Sequence, residues 1–126
     1  MNRESIYRVG VRAEFSAAHY HEGAGDGCRR VHGHNYRVEA VISAPELERG
    51  MVVDFEDIRR RLKGVLTGWD HRILNEVKDF ADAEPTTEVI SRRLFARLAD
   101  DLPVRAVLRR VTVWETDHCW ASYGAD

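Results

Sequence analysis

The chain is 126 residues long, 44% hydrophobic and 32% charged, with 9 glycines, 3 prolines and a formal net charge of −2. A chain of this size buries about two-thirds of the surface it exposes when unfolded, enough for a core without disulfides or structural metal, so disorder, collagen-like repeats and low complexity are excluded. Its apolar runs are far shorter than the ~20 residues of a membrane-spanning helix, Met1 to Tyr7 lacks the apolar run of a signal peptide, and there is no basic excess of the kind that marks nucleic-acid binding. The expectation is one cytosolic (cytoplasmic) domain, residues 1–126, with no membrane or nucleic-acid partner. Arg59-Arg60-Arg61 and Arg109-Arg110 read as solvated faces, and two cysteines, Cys28 and Cys119, are too few for a disulfide framework.

Tyr7, Val9, Val11, Ala13 and Phe15 alternate with Arg8, Gly10, Arg12 and Glu14, the period of a half-buried strand. A glycine-rich loop follows, and then His34, Tyr36, Val38, Ala40 and Ile42 share a face opposite Asn35, Arg37 and Glu39, which predicts a second strand antiparallel to the first. After Pro45 the period changes. Asp54 can cap a helix whose apolar positions are Phe55, Ile58, Leu62, Val65 and Leu66, with Gly68 near its end. A second helix is expected from Pro85-Thr86-Thr87-Glu88, capped by either threonine, through Ile90, Leu94 and Leu98 to about Asp101. Alternation returns from Val107 to Glu115, with Val107, Val111 and Val113 on one face, and a shorter strand closes the chain from Cys119 to Tyr123. The order strand, strand, helix, helix, strand, strand predicts an α+β domain, a four-stranded antiparallel sheet with two helices on one face. Its uncovered face and edges suit an oligomer.

Three of the six histidines form a group. His32 and His34 are two apart on a strand and project from one side, and His19 continues the odd-numbered face of the first strand if that strand stays regular. Three neutral imidazoles with a fourth position open are the ligand set of a catalytic zinc; hydrogen-bonded strand histidines are the alternative. Cys28, four residues before His32, suits a base or nucleophile beside a metal, a further zinc ligand, or an inert loop thiol. Asp70-His71 is either an oriented proton relay or a turn with a capping aspartate. Glu115 shares the face of Val111 and Val113, so it carries a carboxylate inward, where it needs a partner with paired donors: the edge of a flat heterocycle, or an arginine of the same chain.

Taken together, Phe15-Ser16-Ala17-Ala18-His19, Cys28-x3-His32-Gly33-His34-Asn35-Tyr36, Gly50-Met51-Val52-Val53-Asp54-Phe55, Asp70-His71-x2-Leu74-Asn75, Pro85-Thr86-Thr87-Glu88 and Glu115-Thr116 stand in the order found in the 6-pyruvoyl-tetrahydropterin synthase superfamily. The resemblance spans about Phe15 to Tyr123 and is strongest to the bacterial 6-carboxy-5,6,7,8-tetrahydropterin synthase branch, which serves queuosine and other deazapurines. It implies the tunnelling fold, in which ββααββ subunits oligomerise into a barrel as a homo-hexamer, a dimer of trimers with interfacial active sites. It also implies a Zn2+ cofactor on His19, His32 and His34, a proton-abstracting Cys28, and a catalytic Asp70 and His71 supplied by a neighbouring subunit. Glu115 matches the residue that holds the pterin ring and is grouped with the relay; Thr86, Thr87 and Glu88 match a segment lining the pterin pocket. The implied reaction is that of a lyase taking 7,8-dihydroneopterin triphosphate, a small-molecule pterin triphosphate, to 6-carboxytetrahydropterin, acetaldehyde and triphosphate. The rivals are the pyruvoyl-forming sister enzyme and a non-catalytic metal- or pterin-binding module on the same fold. Trp69 and Val89-Ile90-Ser91 depart from the family pattern, His118 and Cys119 match no motif, and Arg12, Arg29, Arg30 and Lys63 are unranked candidate contacts for the triphosphate.

Overall fold

The computed structural model describes residues 5–23 and 25–125, apart from the side chain of Asp26. Strand β1, Tyr7–His19, runs four residues beyond Phe15 and pairs without interruption against β2, His32–Ala44, from Tyr7 opposite Ala44 to His19 opposite His32. Within the intervening loop a single helical turn, α1, spans Asp26–Arg29. Strands β3, Val107–Trp114, and β4, Trp120–Gly124, complete an antiparallel sheet in the order β1-β2-β3-β4.

Helix α2, Phe55–Leu66, starts where the Asp54 carboxylate accepts the Glu56 amide at 2.9 Å, and α3, Thr87–Leu98, starts where the Thr86 hydroxyl accepts the Val89 amide. These caps satisfy amides that the first helical turn leaves without a carbonyl. Both helices lie on one face of the sheet. Ile58, Leu62, Val65 and Leu66 of α2 and Ile90, Leu94 and Leu98 of α3 meet Val11, Phe15, Tyr36, Val38, Ile42, Val111 and Val113 in one core. Phe15 stacks on Tyr36 with ring centroids 4.8 Å apart, and Trp69 closes the end of that stack, its indole N–H donating to Asp79. No helix among the described residues is long and apolar enough to cross a membrane.

Three local expectations are corrected. Helix α3 stops at Leu98, three residues short of Asp101, and Asp101 has φ +66°. Phe55 is half exposed, because at the first position of α2 it overhangs the sheet while Ile58 is the first residue of the stripe to reach it. Val107 faces outward and Leu108 inward, because the pairing passes from Val41–Arg110 to Ile42–Leu108 and leaves Arg109 as a bulge. One extra residue reverses the alternation beyond it.

The chain between the helices returns to β1. The His71 amide donates to the Ser16 carbonyl at 2.6 Å, and the Ala18 amide to the Arg72 carbonyl at 2.9 Å, so residues 71–73 lie parallel to the end of β1 as a short extra edge. Short 3-10 turns at Leu74–Glu76 and Lys78–Phe80 then bury Leu74 and Phe80.

Candidate metal centre and its surroundings

Because β1 stays regular to its end, His19 faces His32 directly, and His34 lies two residues further along β2 on the same, helix-covered face. The strand period brings the three rings together: one ligand nitrogen from each lies within 4.8 Å of the other two. The Nδ1 of His19 is 2.8 Å from the Pro85 carbonyl and that of His32 is 2.7 Å from the Arg30 carbonyl. A carbonyl only accepts, so Nδ1 donates in both rings and Nε2 is left with a bare lone pair. Backbone carbonyls on the far nitrogen are how metal-binding imidazoles are oriented.

The Nε2 atoms of His19 and His34 are buried without a hydrogen-bond partner, and each lies 3.5 Å from the same Oε1 of Glu115. On His19 this sets a lone pair against a carboxylate oxygen, acceptor facing acceptor, and a cation between them relieves the opposition. Burial holds the His19 and His34 rings below the ordinary histidine range, more strongly than the Glu115 charge raises them, so both are kept in the neutral form that ligates a metal. The donor set, the tautomer and the orphaned nitrogens fit a divalent ion, and three histidines suit zinc.

Glu115 follows the last residue of β3, and its amide donates to the Cys119 carbonyl across the hairpin. Its carboxylate faces the histidines, and the buried Thr87 hydroxyl lies 3.3 Å from it. Beneath the cluster Tyr36 is fully buried, its hydroxyl 3.3 Å from His19 Nδ1, and burial raises its pKa well above the usual tyrosine range. The expected pocket segment therefore divides by role in the fold. Thr87 touches Glu115, Thr86 caps α3, Pro85 orients His19, and Glu88 is exposed on the first turn.

Cys28 lies on α1 with an exposed thiol, and its carbonyl accepts the His21 amide at 2.7 Å, which ties the loop to the strand end two residues past His19. Asp70 and His71 do bond directly, Asp70 Oδ2 to His71 Nδ1 at 2.9 Å. The other carboxylate oxygen accepts the Ser16 amide at 2.8 Å, and these two bonds, the Ser16 amide first, hold the Asp70 carboxyl below the usual range. His71 has φ +59°, a left-handed conformation that a non-glycine residue keeps only when its surroundings impose it. Its side chain is 80% exposed, so the pair is oriented yet open to a partner.

Within one chain His71 borders His34 in a cleft of about 390 Å3 lined also by Ala17, Ala18 and Gly33, along the edge of β1. The Asp70–His71 pair also shares a second cleft, of about 500 Å3, with Ser16, Asn35 and Arg37, which alternate to the outer face of the sheet. Sequence reasoning missed His21, Ser16 and Asn35. His21 sets its Nε2 3.3 Å from His19 Nδ1, and its signal was a second His-x-His, at 19 and 21. The Ser16 hydroxyl bonds to Asn35 at 2.7 Å while its backbone holds both members of the Asp70–His71 pair. Backbone bonds leave no trace in side-chain chemistry.

Residues 8–126 match the family described as 6-pyruvoyl tetrahydropterin synthase. A protein of Archaeoglobus fulgidus, provisionally named a 6-carboxy-5,6,7,8-tetrahydropterin synthase, is 41% identical over 96% of each chain. The Bacillus subtilis protein named 6-carboxy-5,6,7,8-tetrahydropterin synthase is 33% identical over 86% of this chain and 78% of its own. The Pyrococcus furiosus dihydroneopterin monophosphate aldolase is 34% identical over 86% of this chain and 89% of its own. Among solved structures, the 6-pyruvoyl tetrahydropterin synthase of Caenorhabditis elegans superposes over the full length of both chains with a TM-score of 0.84 and 29% identity. Match, relatives and fold agree, and the chain belongs to the 6-pyruvoyl tetrahydropterin synthase family of pterin enzymes.

Proposed function

We propose that this chain, as one catalytic domain over residues 1–126, is a zinc-dependent lyase that converts 7,8-dihydroneopterin triphosphate and one water to 6-carboxy-5,6,7,8-tetrahydropterin, acetaldehyde and triphosphate. Its setting is the cytoplasm and the route to queuosine and related deazapurines. The observation that carries the reading is the convergence of bare, buried imidazole nitrogens on the Glu115 carboxylate. His19, His32 and His34 hold the ion; zinc, when bound, supplies a Lewis acid for the hydroxyls of the substrate side chain and lowers the barrier to losing neighbouring protons. Cys28 takes a side-chain proton as its thiolate. Glu115, steadied by Thr87, accepts paired N–H donors of the pterin ring and sets the reacting carbons beside thiol and metal, with Thr86 and Glu88 at the rim.

Asp70 orients His71 as a proton carrier, and the pair reaches a neighbouring subunit's histidines across an interface of a homo-hexamer. The support for this is the exposure of the His71 side chain, held by Asp70 at the open edge of β1. Similarity to the Pyrococcus furiosus aldolase favours a second reading, carbon–carbon cleavage of a pterin monophosphate. Incubating the zinc-loaded protein with the triphosphate and the monophosphate separately, with mass spectrometry of the pterin and an aldehyde assay, tests both. Carboxytetrahydropterin with stoichiometric acetaldehyde from the triphosphate is the expected result. A pyruvoyl product without acetaldehyde transfers the assignment to the sister reaction, and turnover of the monophosphate alone transfers it to the aldolase. No turnover of either leaves a binding module.

A further inference from the structure

Ser16 holds the Asp70–His71 pair through its backbone, which leaves its side chain for a different task. Its amide donates to Asp70 Oδ1 at 2.8 Å and its carbonyl accepts the His71 amide at 2.6 Å, while its hydroxyl donates to Asn35 Oδ1 at 2.7 Å. Ser16 and Asn35 face each other across β1 and β2, and Asn35 borders both clefts that His71 borders. A hydroxyl that holds Oδ1 turns the amide nitrogen of Asn35 the other way, with its two N–H donors. These meet no acceptor among the described residues: Asp70 has one oxygen on Ser16 and the other on His71, Asp117 is bound by Arg37 at 2.7 Å, and Glu14 makes no bond to them. His71 offers the complementary group. Its Nδ1 lies against Asp70 Oδ2, so in the neutral ring Nδ1 carries the hydrogen and the exposed Nε2 a lone pair.

We propose that Asn35 is a further catalytic residue that works with His71: its amide N–H donates to the substrate oxygen on which charge develops as the proton of that hydroxyl passes to His71 Nε2. The O–H bond breaks, the N–H bond forms, and the electron pair stays on the oxygen, where a donor already in place lowers the barrier more than it strengthens binding. Ser16 is the positioning residue that keeps the donors turned outward. The inference deepens the reading of Asp70–His71 as a proton-moving pair and rests on it. Because Ser16 holds both Asn35 and His71, Asn35 serves whichever subunit's site His71 serves.

Steady-state kinetics of the assembled, zinc-loaded protein, with the pterin triphosphate and the monophosphate as separate substrates, take the two residues apart. Asn35→Asp keeps the acceptor for Ser16 and removes the donors, and is expected to lower kcat about 100-fold with little change in KM; Asn35→Ala, which adds no charge, should match it. Ser16→Ala keeps the donors but frees them to turn, for a loss of about tenfold that Ser16→Thr restores. Two readouts do not depend on turnover. The 15N signals of the His71 ring stay in place in Ser16→Ala, because backbone bonds hold the pair, and the calorimetric affinity for 7,8-dihydroneopterin falls by no more than about threefold in Asn35→Ala. Circular dichroism melts confirm that each variant is folded. The proposal is overturned if either Asn35 variant keeps its kcat, if the loss lies in KM or affinity alone, if Ser16→Thr does no better than Ser16→Ala, or if Ser16→Ala moves the His71 signals. A protein that turns over only the monophosphate, with the same loss in Asn35→Ala, keeps the role of Asn35 and loses the lyase reading; one that forms carboxytetrahydropterin undiminished by Asn35→Ala does the reverse. No turnover of either substrate overturns both.

Discussion

At the scale of single residues, the site is defined by what lacks a partner. Two buried imidazole nitrogens facing a carboxylate cost stability in the metal-free protein and are compensated when a cation joins them. Loss of an outer-shell group costs about 10–100-fold in metal affinity, so His34→Ala, which deletes a proposed ligand, is expected to cost at least ~100-fold, read by competition with a chelating dye. The same burial gives a pH dependence with a definite sign. The His19 and His34 pKa values lie below the ordinary 6.5, so as pH falls below about 6.5 the unfolded chain binds protons that the folded chain does not. Stability of the metal-free protein is therefore present above that pH and lost below it, until the folded-state pKa values are reached. Urea unfolding in EDTA at pH 7.5 and 5.5 measures this; equal midpoints would contradict it. The histidine set was legible because strand alternation places residues 19, 32 and 34 on one face without further information. The imposed backbone of His71 and its hold on Ser16 were not, since both depend on where a loop returns in space.

At the scale of elements, the helices carry more of the fold's stability than their ends suggest. Leu62 is completely buried in the middle of α2, between the sheet and α3, and Leu62→Ala is expected to destabilise the protein by about 2–5 kcal/mol, read by chemical denaturation. Phe55→Ala, at the overhanging first position, should cost well under half as much. Both helix starts were legible because Asp54 and Thr86 are capping types at the head of a 3.6-residue stripe. The bulge at Arg109 was hidden because the glycine that makes room for it, Gly124 with φ +148°, lies not in β3 but across from it on β4, where a Cβ would collide with the Arg109 carbonyl. It is held by long-range bonds, the Arg109 side chain to the Ser43 hydroxyl at 2.7 Å and its carbonyl to the Ala125 amide.

At the scale of the whole molecule, the proposed relay pair stands exposed at the edge of β1, open to a second subunit. If a working site draws Cys28 from one subunit and His71 from another, Cys28→Ala and His71→Ala proteins, each inactive alone, should complement when unfolded and reassembled together. Random association then regenerates about a quarter of the sites, measured as recovered turnover, and no recovery would place both residues in a single subunit's site. Order and type of every strand and both long helices could be read from periodicity; the place of the Asp70–His71 pair beside Ser16 could not, because it depends on where the chain returns after α2.

The short parallel segment at residues 71–73 limits where another strand could add to the sheet. Along β1 the outward backbone groups of Ser16 and Ala18 are already taken by the chain's own return, whereas those from Tyr7 to Phe15 have no partner strand among the described residues. A strand added from another copy would find a ladder that ends at Phe15, and the return would act as a doorstop, halting it one residue from the amide that holds Asp70.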